Sequence, residues 1–177
     1  MSTKYTTAAE DSARIRKTLK AAKIANARQV SVKAKSYSMG SSLTISINDH
    51  TVDIKEVRTI AQSSEHVRRC DYSGEILSGG NRYLTVSYSA EAAEAFAALH
   101  ADAIAKLMQF PEGDMHGGEV VEIDGRRLCV FKSMQYAGDL ELSSLEEFAS
   151  RRRWLPRRQY LTPAELAKAI LSMRDRT

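Results

Sequence analysis

The densest group of residues able to do chemistry is RRRWLPRR, where Arg151, Arg152, Arg153, Arg157 and Arg158 surround Trp154. Guanidinium forks match phosphate and carboxylate oxygens two at a time, and an indole stacks on bases or anchors a protein interface. The segment is expected to meet something acidic, either a partner or an acidic patch of the same molecule. Arg16, Lys17 and Lys20 form a second basic group near the amino terminus. Tyr37, at the tip of the stretch SYSMGSSLTIS, is a candidate exposed contact, the alternative being a ring folded back on the core.

Bond-making chemistry finds fewer candidates. His50, His66, His100 and His116 are scattered, and His66 with Cys70 is the only close pair of metal-ligand types, short of the set that a zinc site needs. Cys129, inside LCVF, reads as a small buried apolar residue. Asp114 and His116 precede two glycines in a site-like loop whose other reading is a plain connector after Pro111. The serine-rich stretch around Gly40 is followed by an alternating strand pattern. A phosphate cradle would have a helix there, so a hairpin connection of 3 to 5 residues is expected. No catalytic residue, metal or cofactor is expected, and the chain is not expected to be an enzyme.

The elements that would position these groups follow from periodicity. TAAE at Thr7 to Glu10 is a capping box that opens a helix to about Ile24, with Ile15, Leu19 and Ala22 as its buried stripe and cations elsewhere. From Gln29 the period changes to 2 through Val30, Val32 and Ala34, and again through Leu43, Ile45 and Ile47. Asp53 to Glu56 opens a short helix, and strands are expected from Val67 to Tyr72 and from Arg82 to Tyr88. Ser89 caps a long helix to about Phe110. Asp124-Gly125 joins a hairpin of 119–123 and 126–132. Capping boxes at Ser144 and Thr162 open two further helices, the first stopped by Pro156. The class is therefore α+β, an antiparallel sheet with helices packed on one face over residues 1–88, then a long helix, a β-hairpin and two carboxy-terminal helices over 89–177.

At 177 residues and 43% hydrophobic side chains, the chain can bury one good core or two small ones. No apolar run is long enough to cross a bilayer or resembles a signal peptide, and two cysteines make no disulfide framework, so a cytoplasmic protein without membrane contact is expected. The net charge of +4 hides a pattern. Residues 1–88 carry 14 basic and 8 acidic side chains, 89–147 carry 4 and 12, and 148–177 carry 8 and 2. Such alternation suits surfaces that attract different partners, and equally three solvated faces that neutralise one another.

The opening helix AAEDSARIRKTLKAA, the hairpin QVSVKAKSYSMGSSLTISIND, the helix VDIKEVRTIAQ and the strand RYLTVSYS together resemble the large polyvalent-protein-associated domains of phages and conjugative elements. The likeness covers about half the chain, from Thr6 to Tyr88. It implies a mobile-element setting, in which such proteins travel with DNA and are thought to counter host defences, and it implies no catalytic residue. Two functions are expected from it and from the charge blocks. One is a non-catalytic inhibitor of a bacterial defence system, of anti-CRISPR or anti-restriction type, that binds a nuclease complex inside the host cell. The other is a nucleic-acid-binding accessory protein of the element.

Overall fold

The structure is a computed structural model and describes residues 6–22, 24, 26–38, 40–64, 67–69, 76–79, 82–109, 120–132, 140–144, 153–155 and 162–174. The fold is α+β, and the chain divides into two compact units, Met1–Ser89 and Ala90–Thr177.

In the first unit, helix α1 (Ala8–Ala21) starts at Thr7, whose hydroxyl accepts the Glu10 N–H while the Glu10 carboxylate takes the Thr7 N–H at 2.7 Å. Ala8, Ile15 and Leu19 are buried, along with Asp11 and Ser12, whereas Ala22 caps the helix and is exposed. Strands β1 (Val30–Tyr37) and β2 (Gly40–Ile47) pair antiparallel with Tyr37 opposite Gly40. The hairpin connection is thus two residues long, and most of the serine-rich stretch is strand. Helix α2 (Ile54–Gln62) begins at Asp53, whose carboxylate accepts the Lys55 N–H. Strands β3 (Val67–Arg69) and β4 (Ile76–Gly79) form their own two-stranded sheet, and β5 (Arg82–Tyr88) returns to β2.

That return corrects the expectation of a wholly antiparallel sheet, because β5 lies parallel to β2, from Ser41 opposite Arg82 to Ile47 opposite Tyr88. A parallel neighbour needs a crossover of a dozen residues or more, usually helical. Residues 48–81 supply it and include α2. One sheet face is the core face. Val32, Leu43, Ile45, Ile47, Val86 and Tyr88 are buried there with Ile15 and Leu19 of α1 and Ile54, Val57 and Ala61 of α2. The Tyr88 hydroxyl donates to the Val52 carbonyl at 2.7 Å, so the ring is buried without leaving its polar end unpaired.

In the second unit, α3 (Ala90–Leu99) and α4 (Ala101–Leu107) replace the single long helix expected. His100 sits between them at φ −113° and ψ 33°, its ring 4.5 Å from that of Phe96 and its Nε2 4.0 Å from the Asp124 carboxylate. Strands β6 (Val121–Ile123) and β7 (Arg126–Lys132) make the expected hairpin, with Asp124 and Gly125 both at positive φ, as a tight two-residue turn requires. The sheet continues antiparallel through β8 (Leu140–Ser144) to β9 (Arg153–Leu155). Thus the tract expected to be helical up to Pro156 ends as a strand; residues 145–152 lie outside the described residues. Helix α5 (Pro163–Met173), opened by the Thr162 capping box, packs on α3 and α4.

Candidate functional site

The three-stranded sheet of the first unit has one face covered by helices and one open. Because side chains alternate along a strand, the residues opposite the core positions assemble the open face in rows across β1, β2 and β5. Lys35, Ser42 and Tyr83 form one row, Lys33, Thr44 and Thr85 the next, and Ser31, Ser46 and Ser87 a third. Tyr37 opposite Gly40 closes the hairpin end of the same face. Lys33, Lys35, Thr44 and Thr85 are exposed, and Tyr37 and Tyr83 each keep 44% of their surface in solvent. The Tyr37 hydroxyl donates to the Ser41 carbonyl at 3.3 Å.

The sheet edges are guarded by arginines. Asn48 N–H donates to the Gln29 carbonyl, so odd positions of β1 bond to β2 and even ones face outward. The outward Val32 carbonyl accepts from the Arg16 guanidinium. At the opposite edge Ser89 N–H donates to Ile47, which turns Val86 outward, and Arg58 reaches its carbonyl at 3.5 Å. Cationic side chains across an edge discourage pairing with another chain. Arg16 therefore serves the scaffold first. It also brings positive charge round the edge of β1 towards Lys33.

Beneath the covered face lies a buried ionic knot. Asp11, 1% exposed, accepts from the Arg82 guanidinium, from Thr6 Oγ1 at 2.9 Å and from Arg14 at 3.1 Å. Arg82 also donates to Ser41 Oγ and the Thr6 carbonyl, and Arg14 to Ser63 Oγ and Ser64 Oγ. These bonds fasten α1 to β5 and to the end of α2. In the turn after β2, the Thr51 backbone N–H first and the Thr51 hydroxyl second hold the Asp49 carboxyl below its usual pKa. Burial works weakly against them, and His50 and Asn26 lend smaller support.

Of the residues singled out in the sequence, Lys17 and Lys20 are exposed on α1 and, among the described residues, neither is held in an ion pair. Lys20 and Arg28 border a hollow of about 720 Å³ at the end of α1. Tyr37 stands on the other side of the sheet from α1, so the structure does not bring all of these onto one face. Arg153 and Trp154 belong to β9, whereas Arg151, Arg152, Arg157 and Arg158 lie outside the described residues, as do His66, Cys70, Asp114 and His116. Cys129 is buried in β7. Tyr83, Lys33 and Lys35 were not singled out by sequence reading. Alternation marks their side of each strand, but only the parallel pairing of β5 sets Tyr83 beside Ser42.

Among the described residues no group of three or more His, Cys, Asp or Glu side chains is arranged to hold a metal ion, and no helix is long and apolar enough to cross a membrane. No protein-family model matches the chain, nor does any curated protein or solved structure.

Proposed function

We propose that this protein is a nucleic-acid-binding accessory protein of a phage or conjugative element, acting by association without making or breaking covalent bonds. The observation that carries the reading is the set of exposed lysines on the first unit. Lys17 and Lys20 on α1 and Lys33 and Lys35 on β1 are spent on no internal ion pair among the described residues, and Arg16 lies between the two pairs at the edge of β1. Cations left free in this way release condensed counterions when they meet phosphates, which supplies most of the affinity in sequence-independent binding. The mobile-element setting comes from the family resemblance of residues 6–88.

Mobility shifts of the full chain on DNA and RNA across a salt series test this. If most of the four lysines reach phosphates, log affinity falls against log salt with a slope of roughly −3. No binding at any salt concentration overturns the reading.

A second reading, inhibition of a bacterial defence nuclease complex of anti-CRISPR or anti-restriction type, is favoured by the acidic block of residues 89–147. Glu91, Glu94 and Asp102 are exposed on α3 and α4, where an anionic surface would compete for a nuclease's nucleic-acid groove. A nuclease complex that co-purifies from the host after thorough digestion of nucleic acid would support it over the first.

A further inference from the structure

We infer that the open face of the β1–β2–β5 sheet is a platform for single-stranded nucleic acid, with Tyr83 and Tyr37 stacking on unpaired bases and Lys33 and Lys35 meeting the phosphates. The inference rests on the nucleic-acid reading above and narrows it to one site and one form of the ligand.

Three observations converge on this face. The first is its chemistry. Between the two tyrosines the rows carry lysines and hydroxyls and no aliphatic side chain, so the face lacks the apolar centre that a stable protein interface buries. Rings separated by cations and hydroxyls match a ligand that alternates flat bases with charged phosphodiesters.

The second is geometry. Tyr83 is two strands away from β1 and level with Lys35, while Tyr37 is two residues further along, which puts the two ring-bearing positions roughly 12 Å apart. Lys35 and Ser42 lie in the row that Tyr83 ends, and Lys35 precedes Tyr37 by two residues on the same side of β1, so a strand laid across both rings runs beside the cation.

The third is accessibility. Both rings are nearly half exposed, and Thr44 and Thr85, in the middle of the face, are exposed as well. A duplex hides its base faces within its own stack, so exposed rings on a sheet face gain stacking only from unpaired bases. Charge agrees, since the first unit carries the excess of 14 cations over 8 anions counted through residue 88.

The test is fluorescence anisotropy with the full chain and a short labelled oligothymidylate, the matching oligouridylate, and a duplex of equal length. The single strands are expected to bind and the duplex to bind more weakly. Tyr83→Ala is expected to lower single-strand affinity roughly 5- to 100-fold, while Tyr83→Phe, which keeps the ring, restores it. Lys33→Glu with Lys35→Glu is expected to weaken binding and flatten its salt dependence.

Should Tyr83→Ala fail to fold, photocrosslinking of the unaltered protein to a bromouridine oligonucleotide replaces it, with adducts expected on the peptides that contain Tyr37 or Tyr83. Binding that prefers duplex, or single-strand binding that survives Tyr83→Ala and is lost in Lys17→Glu with Lys20→Glu, overturns the platform and leaves the nucleic-acid reading standing. Adducts elsewhere also overturn the platform. Absence of binding to all three probes removes both.

Discussion

The sheets of the two units are built on opposite plans. Along β2 buried Leu43, Ile45 and Ile47 alternate with Ser42, Thr44 and Ser46, so one face is core and the other is left to solvent or to a partner. Along β7 Leu128, Cys129 and Val130 are buried in succession, which means that both faces are covered there. A continuous apolar run belongs to a strand enclosed on both sides, whereas strict alternation announces a free face. The first plan offers a place to work; the second offers stability. The side chains that alternation leaves over on the open face are lysines, hydroxyls and tyrosines.

The largest expected effect lies beneath the covered face. Asp11→Ala leaves the Arg82 guanidinium buried without its carboxylate and is expected to cost about 3–5 kcal/mol in denaturant unfolding. A loss below about 1 kcal/mol would mean that the knot is solvated and the face less closed than described.

Next comes a pair of substitutions across the two plans. Leu128→Ala on β7 should cost about 2–5 kcal/mol, while Thr85→Ala on the open face should stay within about 0.5 kcal/mol. Equal costs, measured by the same denaturant series, would show that the open face is packed after all.

The edges give a smaller effect with a second readout. Arg16→Ala and Arg58→Ala each remove a cation from an outward carbonyl, at an expected cost of about 1–2 kcal/mol. Together they should raise the tendency to self-associate, seen by light scattering as concentration increases. A double variant that stays as disperse as the parent would deny the arginines an edge-guarding role.

The smallest effect is a pH dependence. Because the folded Asp49 pKa lies below its usual value, its contribution is fully present above the ordinary carboxylate range and is lost as pH falls through the lowered folded value. Asp49→Asn should therefore narrow the stability difference between neutral and strongly acidic pH in thermal melts, and an unchanged profile would contradict the bonding seen in that turn.

Local signals in the sequence were legible. The Thr7 and Thr162 capping boxes, the Asp124-Gly125 turn and the Arg82–Tyr88 strand all follow from chemistry confined to a few neighbouring residues. Pairing between distant strands was not legible, since periodicity gives each strand's faces and says nothing of its neighbour or direction. Hence neither the parallel direction of β5 nor the place of Tyr83 beside Ser42 follows from alternation alone. The break at His100 has neither glycine nor proline to announce it, and its contact with Asp124, distant in sequence, arises only in the folded unit. Strand β8 has just Leu140 and Leu142 to show alternation, and β9 lies among arginines that carry no strand signal.

The most direct measurement is an NMR titration of the full-length chain with a short single-stranded oligonucleotide, followed through the backbone amides. Binding on the open sheet face predicts shifts concentrated at Lys33, Lys35, Ser42, Thr44, Tyr83 and Thr85, with the buried Ile45 and Val57 scarcely moved. Shifts confined to α1 or to residues 90–177, or no shift at all, would contradict it.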